Sequence, residues 1–539
     1  VAAGGQQAPG DEGFVRGLSF LMIRDKMSWN APDASLAKSA ERVLRVALVV
    51  AAVWGLLHLV AGVSSVHFDL DESGNWFIAG GTPSEAIERS LHMADKLPAY
   101  YMLLSVWKGW VGSSPIAMRS LSLMCIALGA LYVTRLGNLV APGFGLVTAS
   151  LFMASSFLLN YAFEVQPYPF LILAALGLTY SVRSVYVGGA WVDVLKSIAW
   201  GACIAYTHLS GALYLAALAC VILLVGIRRK ATSQGRALLW LVIAFGIILA
   251  PLSLVALKIM SEKEFVSYGV HLTLPAFSEL ILVGLRPDVL AATLLWVIVI
   301  CARREKLLSP DGMVLFLVVV PCFYVLISVL LSITIAPGYF SNRYIIAALA
   351  VLTCSGSFLF RFAESPRQRV GMLLLCLSVS LFFALANRSW GFFGPDWRQA
   401  SIDIRDARTS REGRCSVLFC AGYIGSLHAT LLKDPIWGGL FLSPFSYYRQ
   451  HGCDLVPIPG DVFNPQNVRF FRDVAARTVE EGGEVFMVLP DGWVMPTPTK
   501  LYPIMMTSHC EALKPLGLGC QRIAEAQEIS LSRVVVERG

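Results

Sequence analysis

Three carboxylates fall within four residues at Asp69, Asp71 and Glu72, and a second polar group follows in Asp95-Lys96-Leu97-Pro98-Ala99-Tyr100-Tyr101. Farther along the chain stand Tyr161-Ala162-Phe163-Glu164-Val165-Gln166-Pro167-Tyr168, then Tyr206-Thr207-His208, then Arg343-Tyr344. A carboxylate beside a hydroxyl can take its proton as a general base. Cations such as Lys96 and Arg343 can stabilise the negative charge that develops on a departing phosphate. Together these residue types supply both halves of a transfer from a phosphate leaving group to a hydroxyl. Singly, each also has a plainer role. Asp69 can be a solvated loop charge, and Lys96 can snorkel to headgroups. Glu164 and His208 can form a structural hydrogen-bonded pair, and Arg343 can anchor at the interface. Only the elements that carry these residues can bring them to one place.

Those elements are mostly hydrophobic. Of 539 residues, 56% are hydrophobic and 15% charged, with a mean hydropathy of +0.65; soluble domains run at roughly 25% charged. A soluble enzyme, a disordered scaffold and a nucleic-acid binder are excluded, and nucleic acid is not expected as a partner. Apolar runs suited to crossing a ~30 Å hydrocarbon layer recur at about 46–66, 116–135, 142–160, 168–183, 193–208, 211–227, 237–257, 288–302, 312–333, 344–360 and 371–388. The first lacks a small-residue cleavage site and reads as a retained helix, not a signal peptide. The expected fold is therefore a polytopic α-helical membrane protein with about 11 transmembrane helices. Basic clusters at Arg42 and Arg45, Arg135, Arg183 and Lys196, Arg228 to Arg236, Arg303 to Lys306, and Arg361 to Arg369 fall at alternate junctions. The positive-inside rule makes that side cytoplasmic. Segment 1–45 is then cytoplasmic, 46–388 is the transmembrane part with a first extracytoplasmic loop at 67–115, and an odd span count puts 389–539 outside. All the polar groups named above lie on the outward face, where ionisable side chains near a membrane usually meet a wet cavity or a partner.

The formal charge of +7 divides unevenly. From Ser389 onward there are 15 Lys/Arg against 16 Asp/Glu, and the body before it holds 28 against 20. This mildly acidic tail alternates strand-like runs (Ser416–Phe419, Leu455–Ile458, Glu484–Leu489, Leu531–Glu537) with helix-like ones (Val468–Glu481 and about Ser508–Pro515), as expected of a small α/β domain. It has no G-x-G-x-x-G and no Walker A motif. Seven of the twelve cysteines lie in apolar segments; Cys415, Cys420, Cys453, Cys510 and Cys520 lie in the tail. Outside the cytosol, one or two disulfides and a leftover thiol are expected there, with connectivity open.

The order of these motifs resembles the GT-C class of membrane glycosyltransferases, specifically the bacterial protein-mannosyltransferase-like and aminoarabinose-transferase-like family. The matching residues are Asp71-Glu72, Lys96-Leu97-Pro98-Ala99-Tyr100-Tyr101, Arg119, Tyr161-x-x-Glu164-x-x-Pro167-Tyr168, Tyr206-Thr207-His208, Arg343-Tyr344 and the tail opening Asp396-Trp397-Arg398. The resemblance covers roughly residues 47–400. It implies a GT-C-like fold, a sugar donor carried on polyprenyl phosphate, and transfer on the extracytoplasmic face of a bacterial inner membrane, with the tail periplasmic. It assigns Asp71 as catalytic base with Glu72 in support, and Lys96, Arg343 and Tyr344 to the donor phosphate. Acceptor or sugar contacts are expected from Asp69, Tyr100, Glu164, Gln166, Tyr168 and His208. The expected partners are the lipid-linked donor, membrane lipids and an envelope glycolipid, glycan or protein acceptor. The resemblance fixes no definite cofactor; a divalent metal is left open, with Asp95, His208 and His271 as candidate ligands. Ala99 and Val165-Gln166 depart from the family, where a bulkier residue and a basic residue are usual. A flippase or transporter would want charges at mid-membrane depth and repeated halves, neither of which is evident. A polysaccharide polymerase or ligase would share the lipid-linked donor without the Asp-Glu loop. No Trp-Trp-Asp motif supports oligosaccharyl transfer to Asn.

Overall fold

The computed structural model describes residues 68, 70–93, 96–155, 161–261, 312–334, 344–358, 368, 371, 396–409, 413–420, 429–448, 452–460, 462, 465–490, 494–496, 501–503, 506–526 and 529–536. The expected spans at 46–66 and 288–302, and 371–388 apart from Gly371, lie outside these residues.

The described residues of the inter-span segment 67–115 carry three helices: α1 (Leu70–Ile78), α2 (Pro83–His92) and α3 (Pro98–Val111). Local signals account for two of them. Thr82 and Glu85 form a reciprocal capping box at the start of α2, which satisfies two otherwise orphaned backbone donors. Pro98 opens α3 at a position where a missing N–H costs nothing. The helices then run α4 (Pro115–Val140), α5 (Gly145–Ala154), α6 (Tyr168–Gly188), α7 (Trp191–Ala205), α8 (Leu209–Arg228) and α9 (Ser233–Ser261). A π-helical segment, Leu315–Val319, leads into α10 (Val320–Thr334), followed by α11 (Ile346–Ser355). Among the described residues, α4, α6, α8 and α9 are long and apolar enough to cross a membrane, with shorter apolar helices at Leu315–Leu331 and Ile346–Ser355. The chain is thus a multi-pass membrane protein. Their shared core centres on α6, whose Leu171, Ile172, Ala174, Ala175, Leu176 and Leu178 are fully buried. This burial on all sides marks α6 as the central helix of the described bundle.

The C-terminal residues form an α/β arrangement: α12 (Trp397–Ala407), β1 (Cys415–Phe419), α13 (Ala429–Leu432), α14 (Pro435–Ser446), β2 (Asp454–Pro457), α15 (Pro465–Glu480), β3 (Glu484–Pro490), the short pair β4 (Val494–Pro496) and β5 (Leu501–Pro503), α16 (Met506–Leu513), β6 (Leu518–Ala526) and β7 (Ile529–Val536). The main sheet has the order β2-β1-β3-β7-β6. β2, β1 and β3 are parallel, and β7 and β6 add antiparallel. After Glu484, β3 is an unbroken apolar run because the sheet is covered on both faces there. The four strand-like runs of the sequence correspond to β1, β2, β3 and β7. β6 was not among them: Gln521, Arg522 and Glu525 interrupt it, as suits an edge strand that resists further pairing.

Two disulfides join Cys415 to Cys453 and Cys510 to Cys520, and the remaining tail thiol, Cys420, is buried. Cys415–Cys453 closes a separation of 38 residues. Cys415→Ser is expected to destabilise the protein by about 2–4 kcal/mol, read as a lower melting temperature; an unchanged one would show that the β1–β2 pairing holds without the crosslink.

Candidate active site

α1 carries Asp71 and Asn75 one turn apart, so both project from the same helix face. They line a cavity of about 340 Å³ together with Lys96, Tyr101, Gln166, Pro167, Tyr168, Thr207, His208 and Tyr344. The cavity is assembled from α1, the segment leading into α3, the turn before α6, the turn before α8 and the segment leading into α11.

The carboxylate side is held by a buried network. Gln166 Nε2 donates to Asp71 Oδ2 at 3.3 Å. The preceding residue is fixed at both backbone groups: Val165 N–H donates to Glu72 Oε1 at 2.9 Å, and its carbonyl accepts from Asn75 Nδ2 at 2.7 Å. Asn75 Oδ1 in turn accepts from the Tyr101 hydroxyl at 2.9 Å. Ser122 of α4 donates to the Glu164 carbonyl at 2.7 Å, which pins the same turn from the bundle side.

Glu72 belongs to this scaffold and does not line the cavity. It is 1% exposed, and Arg119 of α4 grips it through Nε at 2.8 Å and Nη2 at 2.5 Å. One residue along a helix rotates the side chain by roughly 100°, so Asp71 can face the cavity only if Glu72 faces the core. Glu72, expected in support of Asp71, therefore stands behind the cavity wall and not in it. Tyr100, expected to touch acceptor or sugar, is likewise 1% exposed, packs edge-on against Tyr101, and leaves the cavity wall to that neighbour. Glu164 contributes its carbonyl to the turn and is not among the cavity-lining residues.

On the cationic side, the Ala99 N–H donates to the Tyr206 carbonyl at 2.9 Å. This bond ties the Lys96–Pro98 segment to the turn carrying Thr207 and His208. His208 caps α8: its Nδ1 accepts from Ser210 N–H at 3.1 Å, which commits that nitrogen as an acceptor and leaves the neutral ring's proton on Nε2. The His208 ring lies 5.8 Å from Tyr168 and 5.2 Å from Tyr344, and Tyr161 continues the row against Tyr168 at 5.1 Å. Tyr324 of α10 donates to the Tyr344 carbonyl at 2.5 Å and so holds the end of this aromatic wall.

Of the expected site residues, Asp71, Lys96, Gln166, Tyr168, His208 and Tyr344 therefore meet at one cavity. Asp69, Asp95, His271 and Arg343 lie outside the described residues. Among the described residues no group of three or more His, Cys, Asp or Glu side chains converges as a metal site would require. Tyr101, Pro167 and Thr207, which belong to the quoted motifs but carry no role assigned from sequence, complete the wall with Asn75, which the sequence does not single out. The i, i+4 spacing from Asp71 marks Asn75 once 70–78 is recognised as helix. A cavity with a carboxylate and an ammonium in its lining and an aromatic wall can take up a polar ligand bearing an anionic group and accept a proton from a hydroxyl beside it.

No family model and no curated protein sequence matches the chain. Solved structures do. ArnT from Cupriavidus metallidurans bound to undecaprenyl phosphate is 13% identical, with 90% of this chain and 97% of that one covered and a TM-score of 0.54. The same protein in its apo state matches at 13% identity, 90% and 98% coverage and a TM-score of 0.48. The Archaeoglobus fulgidus oligosaccharyltransferase in its apo form matches at 12% identity, 84% and 69% coverage and a TM-score of 0.47. Through its likeness to ArnT, an aminoarabinose transferase, the chain has the GT-C membrane fold over nearly its whole length.

Proposed function

We propose that this protein is a glycosyltransferase that moves a sugar from a polyprenyl-phosphate donor to a hydroxyl of an envelope acceptor (a glycolipid, glycan or protein) on the extracytoplasmic face. The observation that carries this reading is the meeting of Asp71 and Lys96 at one cavity in a fold shared with a protein solved with undecaprenyl phosphate.

In this reaction the acceptor oxygen attacks the anomeric carbon as the bond from that carbon to the phosphate oxygen breaks. The bonding pair leaves with the phosphate, the acceptor proton passes to Asp71, and the anomeric configuration inverts. Asp71 acts as general base. Gln166, donating to one carboxylate oxygen, fixes the orientation of the other relative to the acceptor. Lys96 stabilises the charge that builds on the leaving phosphate, with Tyr344 lining the same cavity; the family resemblance assigns Arg343 to that group as well. Tyr168 and His208 offer ring faces to the sugar.

Lys96→Ala is expected to weaken binding of undecaprenyl phosphate by about 10- to 100-fold, the value of a lost charge-assisted contact, with Lys96→Arg intermediate. Titration of the purified full chain with the lipid checks this. Unchanged affinity would mean that Lys96 serves only to snorkel, and would remove the phosphate-binding half of the reading. Assay of a panel of undecaprenyl-phosphate sugars then identifies the donor.

A further inference from the structure

Helix α14 lies against the helix that carries Asp71, and it does so at both ends. At the near end the Phe68 N–H, three residues before Asp71, donates to the Tyr448 hydroxyl at 2.7 Å in a buried bond. Tyr447 packs edge-on against Phe68 at 4.8 Å and Trp76 at 5.2 Å, and its hydroxyl donates to the Ser113 carbonyl at 3.2 Å. At the far end of α1, Gly439 faces Phe77 so closely that a Cβ there would enter the ring. Asp434, the N-cap of α14, meets His92 at the end of α2 at 3.0 Å. That contact stands four residues before Lys96.

α14 also belongs to the sheet. Its Leu440 and Phe441 share a core with Phe68, Ile78 and Tyr101. Phe445, near its C-terminal end, and Tyr448 just beyond it share another with Trp397, Val417 and Phe486. None of the α14 residues lines the cavity.

We infer that α14 is a positioning element for the site: Gly439 sets how closely the sheet approaches α1, and Tyr448 fixes the entry into it, so that the C-terminal α/β layer holds Asp71 at its working depth in the cavity. Gly439 and Tyr448 are positioning residues, acting through Phe77 and Phe68. The kinetic part of this inference rests on the proposed role of Asp71; the mechanical part does not. A side chain at Gly439 pushes α1 toward the cavity, and a shift on the order of 1 Å at a reacting group lowers turnover by up to about 100-fold. Binding of the lipid phosphate, held from the Lys96 side, stays as it is.

The test uses the full chain with Gly439→Ala, Phe77→Leu, both together, and Tyr448→Phe. Hydrogen exchange of residues 70–78, undecaprenyl-phosphate affinity, and turnover on the best donor of the panel are measured for each. Gly439→Ala and Tyr448→Phe are expected to speed exchange across α1 and to lower kcat by about 10- to 100-fold at unchanged lipid affinity. Phe77→Leu, by making room, restores both quantities in the Gly439→Ala background. Wild-type exchange and kcat in Gly439→Ala would overturn the inference, and so would a loss that Phe77→Leu does not repair, since that is general misfolding. If exchange responds and is repaired while Asp71→Asn keeps full turnover, the coupling of α14 to α1 stands and the assignment of Asp71 as base falls.

Discussion

Asp71→Asn is expected to lower turnover by about 10²- to 10⁴-fold, the usual contribution of a general base, while leaving undecaprenyl-phosphate affinity within about twofold of wild type. The substitution preserves shape, and the Asn side-chain oxygen can still accept from Gln166 Nε2, the bond that Asp71 Oδ2 accepts at 3.3 Å. What it removes is the basic lone pair that, in the proposed mechanism, takes the acceptor proton. The loss should therefore appear in kcat, with the lipid affinity set from the Lys96 side of the cavity unaffected. Steady-state kinetics and lipid titration on the same preparation separate the two. Full turnover would exclude Asp71 as the base; loss of lipid binding would mean that the variant has disturbed the cavity.

The largest expected effect on stability belongs to Arg119. Arg119→Met leaves the Glu72 carboxylate buried at 1% exposure without its cation, and removing one partner of a buried pair costs about 3–5 kcal/mol. Pairing it with Glu72→Gln should recover most of that loss, since replacing both charges removes the uncompensated one. The Gln oxygen can also still accept from Val165 N–H. The coupling between the two changes, from a double-mutant cycle on thermal unfolding in detergent, is the quantity that decides. Arg119→Met within about 1 kcal/mol of wild type would show that the pair does not hold the turn bearing Gln166.

This network also explains what could and could not be read before the fold was known. Asp71, Lys96, Gln166, Tyr168, His208 and Tyr344 are visible in the sequence because polar groups at the ends of apolar runs are costly, and they do line one cavity. The expected residues that stand behind the wall are immediate neighbours of residues that line it: Glu72 beside Asp71, and Tyr100 beside Tyr101. Without an assignment of helices inside 67–115, the sequence offers no way to tell adjacent residues apart, whereas α1 and α3 separate them by roughly 100°. The same gap hides Asn75, which only a helical period joins to Asp71. In the C-terminal part, β1, β3 and β7 are legible as apolar runs, and β6 is not, because an edge strand keeps its polar residues. The contact of α14 with α1 has no sequence signal at all. It joins Gly439 to Phe77 and Tyr448 to Phe68 across more than 350 positions, and a glycine inside a helix reads locally as a weakness rather than as a site of close approach.

The central claim is that this cavity receives a polyprenyl phosphate between a base and a cation. A structure of the full chain with undecaprenyl phosphate tests it most directly. The phosphate is expected in the cavity against Lys96, with the lipid tail leaving between the membrane-spanning helices and open space beside Asp71 for the sugar and the acceptor hydroxyl. A phosphate bound away from Lys96, with Asp71 facing an empty cavity, would contradict it.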